Sequence, residues 1–156
     1  MQRCLAVVLL FVSLSAFGRG QKGDWIAGGG FGLTMGPTLV LLSPELEYIY
    51  KHNMTFGGLI QMGFGDGGVL FTSTGTVRYL IGTHPRVRPT FEGGLGLAVA
   101  SGVTTSSFGI HILAGMGLDY FIDKDMSVGT MVRLNFAPPL KAFFLSWPII
   151  VVRYNL

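Results

Sequence analysis

Residues 150–156 read IVVRYNL. Along this stretch the side chains fall into two alternating sets: Ile150, Val152, Tyr154 and Leu156 in one, and Val151, Arg153 and Asn155 in the other. A period of two is that of a β-strand, whose successive side chains point to opposite faces. One face of this strand is therefore apolar, and the other carries a charge. The apolar face must meet either a protein core or lipid.

The same alternation recurs along the chain and predicts an all-β fold with eight strands. The predicted strands span residues 25–35, 44–51, 54–65, 69–81, 90–101, 107–122, 127–136 and 144–156. Most of these segments reach the roughly 9–11 residues that a tilted strand needs to cross a bilayer. Polar turns alternate with less polar connections, which is typical of an up-and-down sheet.

The two faces of these strands differ in residue size. One face carries bulky apolar and aromatic residues, and the other carries mainly Gly, Ala, Ser and Thr with a few charges. Charged residues make up 12% of the chain, about half the roughly 25% that is usual for soluble domains. Too few charges are present to coat a soluble barrel, whereas small residues suit a narrow lumen. The sequence predicts a single eight-stranded antiparallel up-and-down transmembrane β-barrel.

The first 20 residues have the pattern of a secretory signal peptide. Arg3 supplies the charged start, Leu5–Val12 the apolar segment, and Ala16-Phe17-Gly18 a small-x-small cleavage site. Cleavage after Gly18 or Gly20 would leave residues 21–156 as the barrel domain. The single cysteine, Cys4, lies in the leader, so we expect a mature barrel without disulfides.

The chain resembles the small outer-membrane β-barrel proteins of Gram-negative bacteria, in the OmpA/OmpX-like class. The resemblance rests on the leader, the strand alternation, the segment GMGLDYF at residues 115–121 and the last strand. It implies insertion in the bacterial outer membrane, contact with outer-membrane lipid and delivery by the barrel assembly machinery. The assembly signal in that class is the last strand, here Ile150, Val152, Tyr154 and Leu156, although the class usually ends in an aromatic residue.

The charged residues inside the predicted strands fall mostly on the small-residue face. With one histidine they form the predicted lumen-facing set: Glu45, Glu47, Arg78, Glu92, His111, Asp119, Arg133 and Arg153. Unpaired charges in a narrow lumen are costly, so acids and arginines there should form ion pairs. Arg78 and Glu92 lie on strands joined by one turn and are the expected pair. We interpret the set as a structural ion-pair plug; a selective pore or a proton-linked switch is the functional alternative.

No motif predicts catalysis, a metal site, a cofactor or nucleic-acid binding. The formal net charge is +3, but the chain contains no basic run. No phosphate-cradling glycine loop with lysine occurs, metal-ligand spacing is absent, and no serine, histidine and acid are grouped as a hydrolase needs. We therefore expect a structural or interaction protein rather than an enzyme.

Two other functions stay open at this point. A narrow channel, or a conduit for small or hydrophobic solutes, is the first. It is suggested by the apolar connections Leu39–Leu42 and Pro138–Phe144, which could form a rim; the simpler explanation is that strands one, two, seven and eight extend further. A lipocalin-like periplasmic ligand binder is the second, because Gly23-Asp24-Trp25 matches the lipocalin G-x-W pattern.

Overall fold

The structure is a computed structural model that describes residues 22–36, 38–65, 68–81, 86–101, 106–138 and 142–156. Each of the eight predicted segments forms a strand within these ranges. The predicted signal peptide lies outside the described residues and stays a prediction. The described residues include no helix long and apolar enough to cross a bilayer.

The strands close into one barrel. In chain order they are β1 (Trp25–Met35), β2 (Val40–Lys51), β3 (Met54–Gly65), β4 (Gly68–Leu80), β5 (Val87–Ser101), β6 (Ser106–Phe121), β7 (Met126–Ala137) and β8 (Ala142–Asn155). Each strand pairs antiparallel with its chain neighbour, and β1 pairs antiparallel with β8. The predicted eight-stranded up-and-down barrel is confirmed.

The largest error in the predicted bounds concerns β2, which begins at Val40 rather than at residue 44. Val40–Leu42 therefore belong to the strand and not to an apolar loop, as the simpler explanation held. A proline lacks an N–H and in sheets is usually found on an edge strand, at the first residue of a strand or at a bulge, which favours a start at Pro44 from the sequence alone. Here Pro44 pairs with Gly29 of β1, whereas the pairing of β2 with β3 skips Ser43 and Pro44.

The second predicted apolar connection is also partly strand. β8 begins at Ala142, so Phe143 and Phe144 lie within it, while residues 139–141 lie outside the described ranges. The strands at this end of the barrel thus extend beyond the predicted bounds.

Side chains alternate between a bulky apolar exterior and a small or polar interior. Leu95 on the exterior is 66% exposed, whereas Gln61 on the interior is 1% exposed. Exposed aromatic and aliphatic residues occur on every strand. This polarity is the inverse of a lipocalin, in which apolar residues fill the interior. It is the arrangement of a barrel whose outer wall meets lipid.

A bulge in β8 sets the direction in which its last residues point. Phe31 of β1 pairs with Ile150, but the next residue, Gly32, pairs with Pro148, so β8 carries one extra residue. Ile149 and Ile150 are both exposed as a result. The bulge directs Val151 and Arg153 into the barrel, because a one-residue insertion reverses the alternation beyond it.

Candidate functional site

The barrel interior contains a continuous cluster of ion pairs, which we call the ionic cluster. Its members are Glu45 and Glu47 on β2, Arg78 on β4, Glu92 on β5, Asp119 on β6, Arg133 on β7 and Arg153 on β8. Every one of these side chains is at most 5% exposed. The structure thus brings together seven of the eight predicted lumen residues, from six strands.

Arg153 connects β8 to both sides of the barrel. It forms ion pairs with Glu45 and Asp119, and its Nε lies 3.7 Å from Glu47 Oε1. The neighbouring strand β1 has Gly28 between Arg153 and Glu45 in the register. A Cβ on Gly28 would lie 3.0 Å from Arg153 Cγ and 2.9 Å from Glu45 Oε1. The missing side chain therefore leaves the space in which the pair forms.

Arg133 repeats this arrangement on the other side of the barrel. Its Nη2 lies 3.1 Å from Glu92 Oε2 and 3.2 Å from Glu45 Oε2. Gly115 of β6 pairs with Glu92 on one side and with Arg133 on the other. Acid and arginine again meet across a strand whose inward residue is glycine.

The expected pair of Arg78 with Glu92 is wrong. The two residues are direct partners in the register, yet their side chains bind other groups. Arg78 Nη2 lies 2.7 Å from Glu47 Oε2, and its Nη1 lies 3.3 Å from Asp119 Oδ2. The prediction considered adjacent strands only. In a narrow lumen a long guanidinium side chain reaches acids two strands away, especially over an inward glycine.

Charges in the ionic cluster do not cancel when every group is ionised, because four carboxylates face three guanidiniums. Among the described residues, Arg78 Nε, Arg133 Nη1 and Arg153 Nη2 are buried without a hydrogen-bond partner. Buried ion pairs of this kind offset their desolvation only when the geometry is good, and removing one member leaves an uncompensated charge.

His111, the eighth predicted residue, lies outside the ionic cluster in a polar layer. Its Nδ1 lies 2.7 Å from Thr74 Oγ1, and its Nε2 lies 3.0 Å from Asn135 Oδ1. Since the Asn135 oxygen only accepts, His111 Nε2 donates and Nδ1 accepts from the Thr74 hydroxyl. Asn135 Nδ2 then donates to Ser146 Oγ at 2.9 Å, and Gln61 Nε2 donates to the same oxygen at 3.1 Å. The layer runs around the lumen as one hydrogen-bonded chain.

An apolar cap lies at the end of the barrel opposite the polar turns. Leu39, Leu70 and Phe144 are buried together there, with Ala100 packed against them. The Phe144 ring stacks on His111 at 6.3 Å between centroids, so the cap rests on the polar layer. The sequence analysis placed Leu39 and Phe144 in the two apolar connections of the suggested rim, but it did not predict that they pack together with Leu70 inside the barrel.

Thr74, His111 and Asn135 have the spacing of a nucleophile, a base and an orienting group. Such a chain can activate a hydroxyl when substrate reaches it. All three side chains are buried in the barrel interior. Among the described residues, no three His, Cys, Asp or Glu side chains are grouped to hold a metal ion.

The four residues of the predicted assembly signal lie on the outer face or at the strand end. Ile150, Val152 and Leu156 are exposed, and Tyr154 is half-buried. Leu156 N donates to Trp25 O at 2.7 Å, which ties the end of β8 to β1. Their recognition by an assembly machinery stays a prediction.

The barrel is similar to several solved structures, among them those of three natural proteins. Neisserial surface protein A (NspA) superposes with a TM-score of 0.65 at 15% identity, over 87% of this chain and 98% of that chain. The outer membrane enzyme PagL gives 0.58 at 16%, over 84% and 99%. Ail, the attachment invasion locus protein of Yersinia pestis, gives 0.57 at 12%, over 87% and 100%. No protein-family model and no curated protein sequence matches the chain.

These similarities define the class of fold, which is that of the eight-stranded outer-membrane barrels. The predicted resemblance to this class is confirmed at the level of the fold. At sequence identities of 16% or less, the similarity to these proteins concerns the fold alone. One of the three is named as an enzyme and another as an attachment protein, so the shared barrel does not fix an activity.

Proposed function

We propose that this chain is an integral protein of the bacterial outer membrane whose lumen does not conduct. It acts as a structural or interaction barrel rather than as a channel or an enzyme. The single observation that carries this proposal is the ionic cluster, whose side chains come from six strands and are at most 5% exposed. A barrel of eight strands has an interior just wide enough for side chains to fill.

Two further layers support a closed lumen. The hydrogen-bonded chain around His111 and the apolar cap of Leu39, Leu70 and Phe144 lie on the same side of the ionic cluster. An ion crossing the barrel would have to break ion pairs, then hydrogen bonds, and then pass an apolar constriction. Each step carries a desolvation cost on the order of several kcal/mol, and together these costs oppose steady flow.

Ion current through planar lipid bilayers tests the proposal. We expect the purified barrel to insert without steady conductance. The triple variant Glu92→Ala/Arg133→Ala/Phe144→Ala removes both members of one ion pair and the ring of the apolar cap, so water can replace the hydrogen bonds of the polar layer, and we expect the variant to conduct. Its matched control is Phe91→Ala/Leu134→Ala/Phe143→Ala, three exposed neighbours on the same strands, which should remain silent.

The current measured in the two proteins distinguishes a closed lumen from a channel. Steady current in the unaltered protein would favour the channel alternative. A triple variant that keeps the β-sheet circular dichroism of the parent and still stays silent would show that the ionic cluster and the apolar cap are not what blocks the lumen.

The absence of catalysis belongs to the same proposal. It is supported by the burial of Thr74, His111 and Asn135, which leaves their hydroxyl and imidazole away from any lipid or aqueous substrate. Incubation with phospholipid and with lipopolysaccharide, followed by assay of released fatty acid, checks it. Release above that of the Thr74→Val variant would identify an enzyme.

A further inference from the structure

The interior widens at the polar-turn end into a chamber of about 640 Å³, which we call the vestibule. Its floor is the side of the ionic cluster that faces the polar turns, formed by Arg78, Asp119 and Arg153. Its walls are mainly apolar and include Ile26, Ile49, Leu80, Phe121 and Met126. A concave, largely apolar space of roughly 300–1,000 Å³ with a few converging polar groups is typical of a small-molecule site.

Cationic side chains are in excess around the vestibule above its floor. Arg86, Arg88 and Lys124 line it there, against the carboxylates of Asp123 and Asp125. The Asp123 carboxylate already accepts hydrogen bonds from the backbone amides of Asp125 and Met126, both at 2.8 Å. Over these five side chains the formal charge is +1, from three cations and two carboxylates. Arg86 and Lys124 are exposed, so their charges lie where a ligand would enter.

We propose that the vestibule binds a single-chain anionic amphiphile such as a fatty acid. Its acyl chain lies against Ile26, Ile49 and Leu80, and its headgroup remains at the mouth beside Arg86 and Lys124. This site goes beyond the proposed function, since it is on the polar-turn side of the ionic cluster and does not require the lumen to conduct.

The headgroup stays at the mouth because the floor guanidiniums lie among carboxylates that would repel it. Arg78 is paired with Glu47 and Asp119, and Arg153 with Glu45 and Asp119. An anion at the floor would also lie close to these three carboxylates. The apolar walls between floor and mouth leave the acyl chain as the part of the ligand that enters.

Methyl NMR of the full barrel in lipid nanodiscs tests the site, with decanoate as the probe. Methionine methyls are labelled, so Met126 reports on the vestibule and Met116, which is 61% exposed on the outer face, reports on the lipid. We expect a saturable shift at Met126 only. Decanol and decyltrimethylammonium, matched in chain length, separate the headgroup contribution from partition into the bilayer.

A variant with reversed charge at the mouth of the vestibule tests the role of the two cations. Arg86→Glu/Lys124→Glu should weaken decanoate binding about tenfold, because two favourable pairings become repulsive. The control Lys22→Glu/Lys51→Glu makes the same change of charge at the same end of the barrel, away from the vestibule lining, and should change binding by less than about twofold. If the reversal impairs folding, Arg86→Gln/Lys124→Gln should still weaken binding about threefold.

Several outcomes would overturn the proposal. One is a Met126 resonance that does not move or does not saturate. Another is equal binding of decanol or of the cationic probe, which would leave only an apolar cavity. The third is equal weakening by both pairs of charge variants, which would reduce the effect to the overall charge of that end.

Discussion

Glu92 on β5 and Arg133 on β7 form an ion pair across Gly115 of β6, the strand that separates them. Glu45 and Arg153 do the same across Gly28 of β1. In both cases an acid, a glycine and an arginine occupy one row of the register. The glycine leaves room for two long side chains to meet, so the pairing partner lies two strands away instead of one.

The role of Gly115 in this row is testable by Gly115→Val. A Cβ at this position would lie 3.1 Å from Arg133 Cγ and 3.3 Å from Val132 O, so the larger side chain should displace the arginine. We expect the free energy of unfolding, measured by urea titration in lipid vesicles, to fall by about 1–3 kcal/mol.

The matched control for this change is Gly93→Val. Gly93 faces outward on the adjacent strand, and the nearest atom to its Cβ position is Leu113 O at 4.0 Å. Its effect should stay within about 0.5 kcal/mol. Equal effects at the two glycines would mean that the strand responds to valine itself and not to crowding of the ion pair.

Arg153 should be the most sensitive arginine of the ionic cluster, because it contacts three carboxylates whereas Arg78 and Arg133 contact two each. Arg153→Gln removes the charge and leaves Glu45 and Asp119 with fewer partners. We expect a loss of about 3–5 kcal/mol in the free energy of unfolding. Lys51→Gln, an exposed cation at the same end, should cost less than about 0.5 kcal/mol. A loss at Arg153 no larger than at Lys51 would contradict a stabilising role for the cluster.

The alternation of side chains was sufficient to predict the strands and the faces. The bounds of β1 and β3 match the prediction at both ends, although β1 has the least clear alternation, with Trp25, Phe31 and Leu33 opposed mainly by glycines. The start of β2 could not be predicted in this way. Pro44 signals an interruption from the sequence alone, and only the pairing shows that the strand continues past it.

The site was predictable as a set of residues but not as a set of pairs. The alternation pattern predicts that Arg78 and Glu92 both point inward, but it does not predict how far each side chain reaches across the lumen. The acids that pair with Arg78 lie on β2 and β6, neither of which neighbours Arg78 in the chain. The distances between side chains across the lumen depend on the register with which the eight strands close into a barrel. This register cannot be derived from the alternation pattern.

The apolar cap can be tested through its contact with the polar layer. Phe144→Ala should create a cavity beneath Leu39 and remove the ring stacked on His111, with a loss of about 3–5 kcal/mol in the free energy of unfolding. The His111 ring resonances should shift as the aromatic neighbour disappears. Phe143→Ala is the control, because Phe143 is 64% exposed on the outer face. It should leave the His111 resonances in place and cost less, since lipid fills the space; a His111 shift in this control would contradict the assignment of Phe144.

Thr74 should stabilise the barrel through its hydrogen bond to His111. Thr74→Val keeps the shape of the side chain and removes the hydroxyl, so the buried His111 Nδ1 loses its donor. A buried acceptor left without a partner costs about 1–3 kcal/mol, and the unfolding titration should show that loss. Thr74→Ser retains the hydroxyl and should recover most of it. Ser73→Val, at the adjacent outward position, removes a hydroxyl without touching His111 and should not destabilise the barrel. If Thr74→Val is as stable as the parent, or if Thr74→Ser is less stable than Thr74→Val, the methyl packing matters and the hydrogen bond does not.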